Sequence, residues 1–222
     1  MKRKIKSFLL VYIILSVSIL FTSCTFVTVV PLDKIKNTTN ATFEDADFDP
    51  TQYVQEKWTD VDKYAKENAK PLADVVAAFV DDPNDCGTKY GYRHTEKDAW
   101  NFIVTGNAKV LNVNKKSANG LLELDMRPYD GNADCYLQIG TVVTGSALRD
   151  SMGFINFQDF KNQITFGDVA KALNKYSVDN VSSKLSLDSL QGKTVTIFGA
   201  FSIDSLSQDN MIKIVPIEIS VS

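Results

Sequence analysis

Between Arg149 and Gln163 the chain gathers groups able to hold a polar ligand: Arg149, Asp150, Asn156, Gln158, Asp159, Asn162 and Gln163, interleaved with Met152, Phe154, Phe157 and Phe160. Amides and a charged pair fix hydroxyl groups while aromatic faces stack, which is the composition of a sugar or peptide site. A plainer reading stands beside it. Arg149 and Asp150 would tie a loop to the body of the fold, Asn156 would cap a helix, and the phenylalanines would fill a core. Tyr90, Tyr92, Arg93 and Trp100 form a second candidate surface by the same logic, with the same plain alternative. The acids also raise an enzymatic alternative, a carbohydrate-active enzyme of the cell envelope. It needs two carboxyl groups such as Asp150 and Asp159 converging in one cleft, and it fails if they pair with arginine or face solvent.

Other chemistry is poorly supplied. No P-loop, dinucleotide-binding glycine turn, H-E-x-x-H or G-x-S-x-G occurs. One histidine, His94, in a loop rich in Gly, Tyr and Arg, would have to serve any histidine-based triad, and with three cysteines it falls short of most zinc constellations. The expectation is a binding or adaptor module with no catalytic residue, cofactor or metal. Four of the 24 basic residues and none of the 27 acidic ones precede Cys24, so the chain from Cys24 onward carries a net charge of −7. A nucleic-acid groove is therefore not expected.

The N-terminus gives an address. MKRKIK is a basic n-region, residues 8–21 are uncharged, and Thr22-Ser23-Cys24 follows. This is a secretory signal over residues 1–23 ending in a bacterial lipobox, with Phe21 where leucine is usual and Cys24 as the lipid-attachment site. The alternative is an uncleaved anchor, because the uncharged run extends from Ser7 to Val30. Both place the remainder outside the cytoplasm, in the periplasm or on the cell surface, held to a membrane. Cys86 and Cys135 then lie where disulfides persist; they are either bridged or separate small buried residues.

The elements that must position these groups follow from periodicity and punctuation. Residues 24–49 read as a flexible tether. Residues 50–97 read as a helical subdomain and loop, and residues 98–222 as a β-barrel domain. Asp49-Pro50 starts a helix with Val54, Trp58, Val61 and Ala65 on one stripe. Pro71 opens a second helix with Leu72, Val75, Val76 and Phe79, stopped at Asp81-Asp82-Pro83. The period then changes to that of strands. A long strand over residues 101–114 carries a bulge or bend at Gly106, and residues 120–126 and 135–143 form strands two and three around an Asp130-Gly131 hairpin turn. A helical insertion follows, with Asn156 capping a short turn and Thr165 and Asp168 forming a capping box. A polar connector spans residues 177–191. Residues 192–201 and 211–221 make a final hairpin around a turn at residues 203–210, with Pro216 at an edge or bulge. Three strands, a helix and a hairpin is the order of an OB-fold, so the expected class is α+β: a helical pair packed on a five-stranded OB-fold-like barrel with a helical insertion between strands three and four.

The lipobox cysteine followed by VVPLD, then FDPTQYVQEKW, DDPNDCGTKYGYR, AWNF and the run from Leu137 to Asn174 resemble a family of predicted periplasmic bacterial lipoproteins of unknown function. The resemblance covers nearly the whole chain from Cys24. Its relatives are often encoded beside sugar ABC transporters, which implies an accessory role near carbohydrate uptake, with a sugar or a transporter protein as partner. The hairpin between strands two and three in similar proteins looks like a calcium-type loop. Here Arg127, Pro128 and Tyr129 replace potential oxygen ligands, and an ordinary Asp-Gly turn is expected.

Overall fold

The computed structural model describes residues 48–184, 186–203 and 211–222. The signal peptide, Cys24, the tether up to residue 47 and most of the turn over residues 203–210 lie outside the described residues.

Two Asp-Pro pairs set the helical part. Asp49 accepts from the backbone N–H groups of Thr51 and Gln52 at 2.8 and 3.3 Å, and Pro50 occupies the first turn of α1 (Pro50–Asn68). A two-residue strand, β1 (Lys70–Pro71), leads into α2 (Leu72–Asp81). Asp82-Pro83 ends α2 as expected, and it also begins a third helix, α3 (Pro83–Tyr90), because Asp82 caps Asn84 and Asp85 at 2.8 and 3.1 Å. The pair that stops one helix is the same chemistry that starts another, since the missing N–H of proline costs nothing at a first helical position.

The barrel strands are β2 (Asn101–Asn114), β3 (Leu121–Asp125), β4 (Cys135–Gln138), β5 (Thr194–Ser202) and β6 (Lys213–Val221). The long β2 serves both halves of the sheet: residues 101–109 pair antiparallel with β5, and residues 109–114 pair with β3. β3 continues to β4, β4 runs parallel to β6 at Tyr136↔Lys213 and Leu137↔Ile214, and β6 returns antiparallel to β5. The circuit β2-β3-β4-β6-β5 closes on β2, with β1 added parallel at Lys70↔Val104. This is a five-stranded closed barrel of OB-fold type with helices, an α+β protein.

Two bulges bend the sheet, and neither is at Gly106. One leaves Leu111 unpaired between Val110↔Leu124 and Asn112↔Glu123; the other leaves Ile217 unpaired between Gly199↔Pro216 and Phe198↔Glu218. Pro216, with no N–H to donate, thus sits at a bulge. Gly106 pairs regularly with Ile197, and its bareness admits Leu72, whose Cβ would lie 3.1 Å from a Cβ added there. The strand expected to reach residue 143 stops at Gln138. Gly140 instead packs against the backbone of residues 118–120, where a Cβ would meet the Ala118 carbonyl at 2.1 Å.

Alternation along the strands separates two cores. Phe102, Val104, Leu122, Leu124, Leu137, Val195, Ile197, Phe201 and Ile214 fill the barrel, with Phe102 and Phe201 stacked at 4.9 Å and 18°. Leu72 and Val75 of α2 and Cys86 of α3 join that cluster. Ile103, Ala200, Val215 and Ile217 point the other way and pack under α1 and the long helix α5 (Gln163–Lys184) through Val54, Val61, Ala65, Val169 and Leu173. Of the two alternatives for the cysteines, the structure holds them unbridged: Cys86 and Cys135 are free and buried in the barrel cluster, and the Cys86 thiol donates to the Val75 carbonyl at 3.4 Å.

The insertion holds a short helix α4 (Ala147–Asp150), a 3-10 turn over Phe157–Asp159 with an Asn156/Asp159 capping box, and α5. The cap of α5 is Asn162, whose Oδ1 accepts from Thr165 N–H at 2.8 Å, and Thr165 itself is buried in the first turn. The segment expected as a connector continues the helix to Lys184, burying Ser177, Val178 and Val181, and a 3-10 turn over Leu187–Leu190 completes it.

Candidate functional site

A cleft of about 1150 Å3 opens where the loop between α3 and β2 faces the insertion. Its walls come from Tyr92, residues 94–95 and 97–99 and Asn101 on one side, from Asn119, residues 144–147, 149–150 and 156–158 and Phe166 on another, and from Ser202, Lys213 and Val215 at the ends of β5 and β6. The two candidate surfaces found separately in the sequence therefore contribute to one cavity: Tyr92 from one, and Arg149, Asp150, Asn156 and Gln158 from the other.

Backbone geometry fixes the first wall. Tyr92 and Asn101 exchange N–H to carbonyl bonds of 2.7 and 2.8 Å, which close the loop against the start of β2. Buried Asn101 donates its amide to the Ala99 carbonyl at 3.0 Å. The Tyr92 hydroxyl lies 3.3 Å from His94 Nδ1, with the rings edge to face at 5.0 Å. Burial, and to a lesser degree Tyr64, pushes the Tyr92 hydroxyl above its ordinary pKa, so it acts as a neutral donor and acceptor. Nε2 of His94 is buried without a partner.

The second wall is tied down from several directions. Gln138 Oε1 accepts from the Thr144 N–H at 2.9 Å and from its hydroxyl at 3.2 Å. Gly145 turns the chain at φ +84°, and Asn174 of α5 donates to its carbonyl at 2.8 Å. Arg149 Nε donates to Asp150 Oδ1 at 2.7 Å, Nη2 reaches the same oxygen at 2.6 Å, and Nη1 donates to the Phe166 carbonyl at 2.9 Å. The guanidinium lies 3.6 Å over the Phe166 ring, and Ser146 Oγ donates to Asp150 Oδ2 at 2.6 Å. Arg149 and Asp150 thus lock α4 to α5 within the insertion, rather than to the barrel, and they also line the cleft.

The remaining sequence candidates sit elsewhere. The Arg93 guanidinium stacks 4.0 Å over Trp100 and donates to the Glu96 carbonyl at 2.9 Å, while Trp100 packs so closely on Gly87 that a Cβ there would lie 2.3 Å from the ring. Tyr90 packs against the barrel core beside Lys89. Asp159 accepts from Asn156 N–H at 3.1 Å and borders a separate open groove with Tyr53, Tyr64 and Phe154; burial and then the Asp159 charge push the Tyr53 hydroxyl upward. Asn162 caps α5 and Gln163 opens it. The two carboxylates of the enzymatic alternative do not converge: Asp150 is bonded to Arg149, and Asp159 belongs to the other groove.

The sequence missed Asn101, Asn119, Thr144, Ser146, Phe166 and Lys213 as cleft residues. Scattered small polar residues carry no periodic signal, and only closure of the barrel brings β6 beside the insertion. Asp125, Asp130 and Asp134 of the strand-two hairpin accept backbone N–H groups of Gly131, Asn132 and Met126 at 2.9, 2.8 and 2.6 Å, with Gly131 at φ +85°. That is an Asp-Gly turn closed by its own carboxylates.

Barrel order and cleft together define an OB-fold protein with an elaborated connection between its third and fourth barrel strands. The fold is shared with a crystal structure described as an OB-fold protein from Thermotoga maritima MSB8, at 19% identity and a TM-score of 0.66, covering 79% of this chain and 99% of that one. A family model described as predicted periplasmic lipoprotein (DUF2291) matches residues 14–220, and the chain belongs to that family. It is accordingly a lipoprotein of the cell envelope, on the extracytoplasmic side. A comparison with curated proteins finds no match.

Proposed function

We propose that the chain is a non-catalytic binding module, anchored through lipidated Cys24, whose cleft takes a small carbohydrate in support of a sugar ABC transporter. The observation that supports this reading is a cleft of about 1150 Å3, large enough for a monosaccharide or short oligosaccharide, to which one cluster gives Arg149, Asp150, Asn156, Phe157 and Gln158 and the other gives Tyr92. Its lining mixes aromatic rings (Tyr92, Phe157, Phe166) with amides, hydroxyls and charged groups (Lys97, Asp98, Lys213), all of which can hydrogen-bond sugar hydroxyls while the rings face apolar carbons. The role beside a transporter draws on the family resemblance alone. Occupation of Asp150 by Arg149 and Ser146 argues against the paired-carboxylate alternative, because a general acid or nucleophile needs its oxygen open to substrate.

The test is a thermal-shift screen of the full chain in detergent against mono- and oligosaccharides and cell-wall fragments. A ligand at about 100 times its Kd stabilises the fold by roughly 2.7 kcal/mol, a readily visible shift in melting temperature. Uniform silence from a protein shown to be folded would reject the carbohydrate cleft and turn attention to a protein partner.

A further inference from the structure

Phe157 is 47% exposed although it belongs to an aromatic cluster, and it lines the cleft rather than the core. It is also held firmly. The Asn156/Asp159 capping box fixes its backbone, and its ring meets Phe166 edge to face at 5.5 Å and 78°. Phe166 is in turn clamped by Arg149, which stacks 3.6 Å over the ring and bonds the Phe166 carbonyl at 2.9 Å. A half-open phenyl ring braced on Phe166 gives an apolar platform in a cleft whose lining also carries amides and hydroxyls (Asn101, Asn119, Ser146) and charged groups (Lys97, Asp98, Lys213).

We infer that Phe157 is a stacking platform for the C–H face of a pyranose ring, and that the Arg149–Phe166 clamp positions it. A pyranose with equatorial hydroxyls has an apolar face and a polar rim, which matches this division of the wall. An open-chain alditol offers the same hydroxyls with no such face. Immobilisation matters because a platform ordered before binding loses no rotamer freedom when the sugar arrives. This inference rests on the proposed carbohydrate-binding function and names the residue and ligand face that the cleft uses.

The experiment is calorimetric titration of the full chain in detergent with methyl β-D-glucopyranoside, cellobiose, D-glucitol and adenosine, for the native protein and for Phe157→Ala and Phe157→Tyr. Covering about 40–55 Å2 of the exposed ring, one face of the open part, is worth about a fivefold to tenfold change in Kd. The pyranosides are expected to bind at least that much more tightly than glucitol. Phe157→Ala should bring them down to the glucitol level while still showing one cooperative melting transition well above the titration temperature, and Phe157→Tyr should keep the native affinity. Glucitol binding as well as the pyranosides, or Phe157→Ala binding them normally, overturns the platform while leaving a carbohydrate cleft intact. Adenosine as the tightest ligand overturns the pyranose assignment, and failure of every pyranoside to bind overturns both the platform and the carbohydrate function.

Discussion

Side chains in this molecule have roles set by their nearest partners more than by their type. Arg149 has the profile of a ligand-binding arginine, but three of its donor contacts are internal and its flat face rests on Phe166, so its work is to hold the cleft wall. Phe157 has the profile of a core residue and instead faces the cleft. Cys135 shows the same dependence on surroundings: burial, reinforced by the Asp134 charge, pushes its thiol from an ordinary 9.0 up to about 12. The folded state keeps this proton at pH values where the unfolded chain has lost it. The associated stability is therefore whole below about pH 9 and falls by roughly 1.4 kcal/mol per pH unit above it, up to the folded value. Urea unfolding followed from pH 8 to 10.5 should show a steeper loss for the native chain than for Cys135→Ala. Equal slopes would mean that the thiol ionises without hindrance in the fold. The candidate residues themselves were recognisable because Arg, Asp, Asn and aromatic residues cluster in sequence between residues 149 and 163. Their division into cleft, cap and clamp was not, because it depends on which neighbours they meet after folding.

At the scale of elements, local grammar was readable wherever it repeats. Asp-Pro starts, alternating strands and the Asp-Gly hairpin all carry a signal within a few residues, and β2 was delimited from sequence at Asn101–Asn114. The second half of α5 carried none: Ser177, Asp179, Asn180, Ser182 and Ser183 look like a connector, and only packing of Val178 and Val181 makes them helical. Bulges were hidden for a related reason, since an unpaired Leu111 or Ile217 is a property of two strands in register. Gly199 is the partner side of one such bulge, facing Pro216 across the β5–β6 ladder. A Cβ there would come 2.5 Å from the Val215 carbonyl and 2.4 Å from Ile214 Cγ2, so backbone has to move. Gly199→Ala is expected to destabilise the protein by about 3 kcal/mol, read as a lower urea midpoint at unchanged m-value. A change below about 0.5 kcal/mol would show that the two strands can separate freely at the bulge.

For the whole molecule, a barrel whose cleft is formed between the insertion and the loop before β2 follows an N-terminal segment that the sequence reads as an export signal and a tether. No helix among the described residues is long and apolar enough to cross a membrane, and the sequence expectation puts attachment in the N-terminal segment. Two chemistries compete there: a lipid on Cys24, or retention of the uncharged run over residues 7–30 as a helical anchor. Membrane location alone does not separate them, because either holds the protein in place. Covalent lipid does: each buried methylene is worth about 0.8 kcal/mol, and more than one acyl chain gives stable anchoring without any spanning segment. Cys24→Ser keeps the basic n-region and the apolar run, so export should continue. The variant should incorporate no radiolabelled palmitate and should migrate at the higher mass of the unprocessed chain. Its barrel should melt as in the native protein, because position 24 lies about 25 residues before α1 in the sequence. Palmitate labelling that persists in Cys24→Ser would place the lipid elsewhere. A native chain that is unlabelled and still carries residues 1–23 would establish the uncleaved anchor instead.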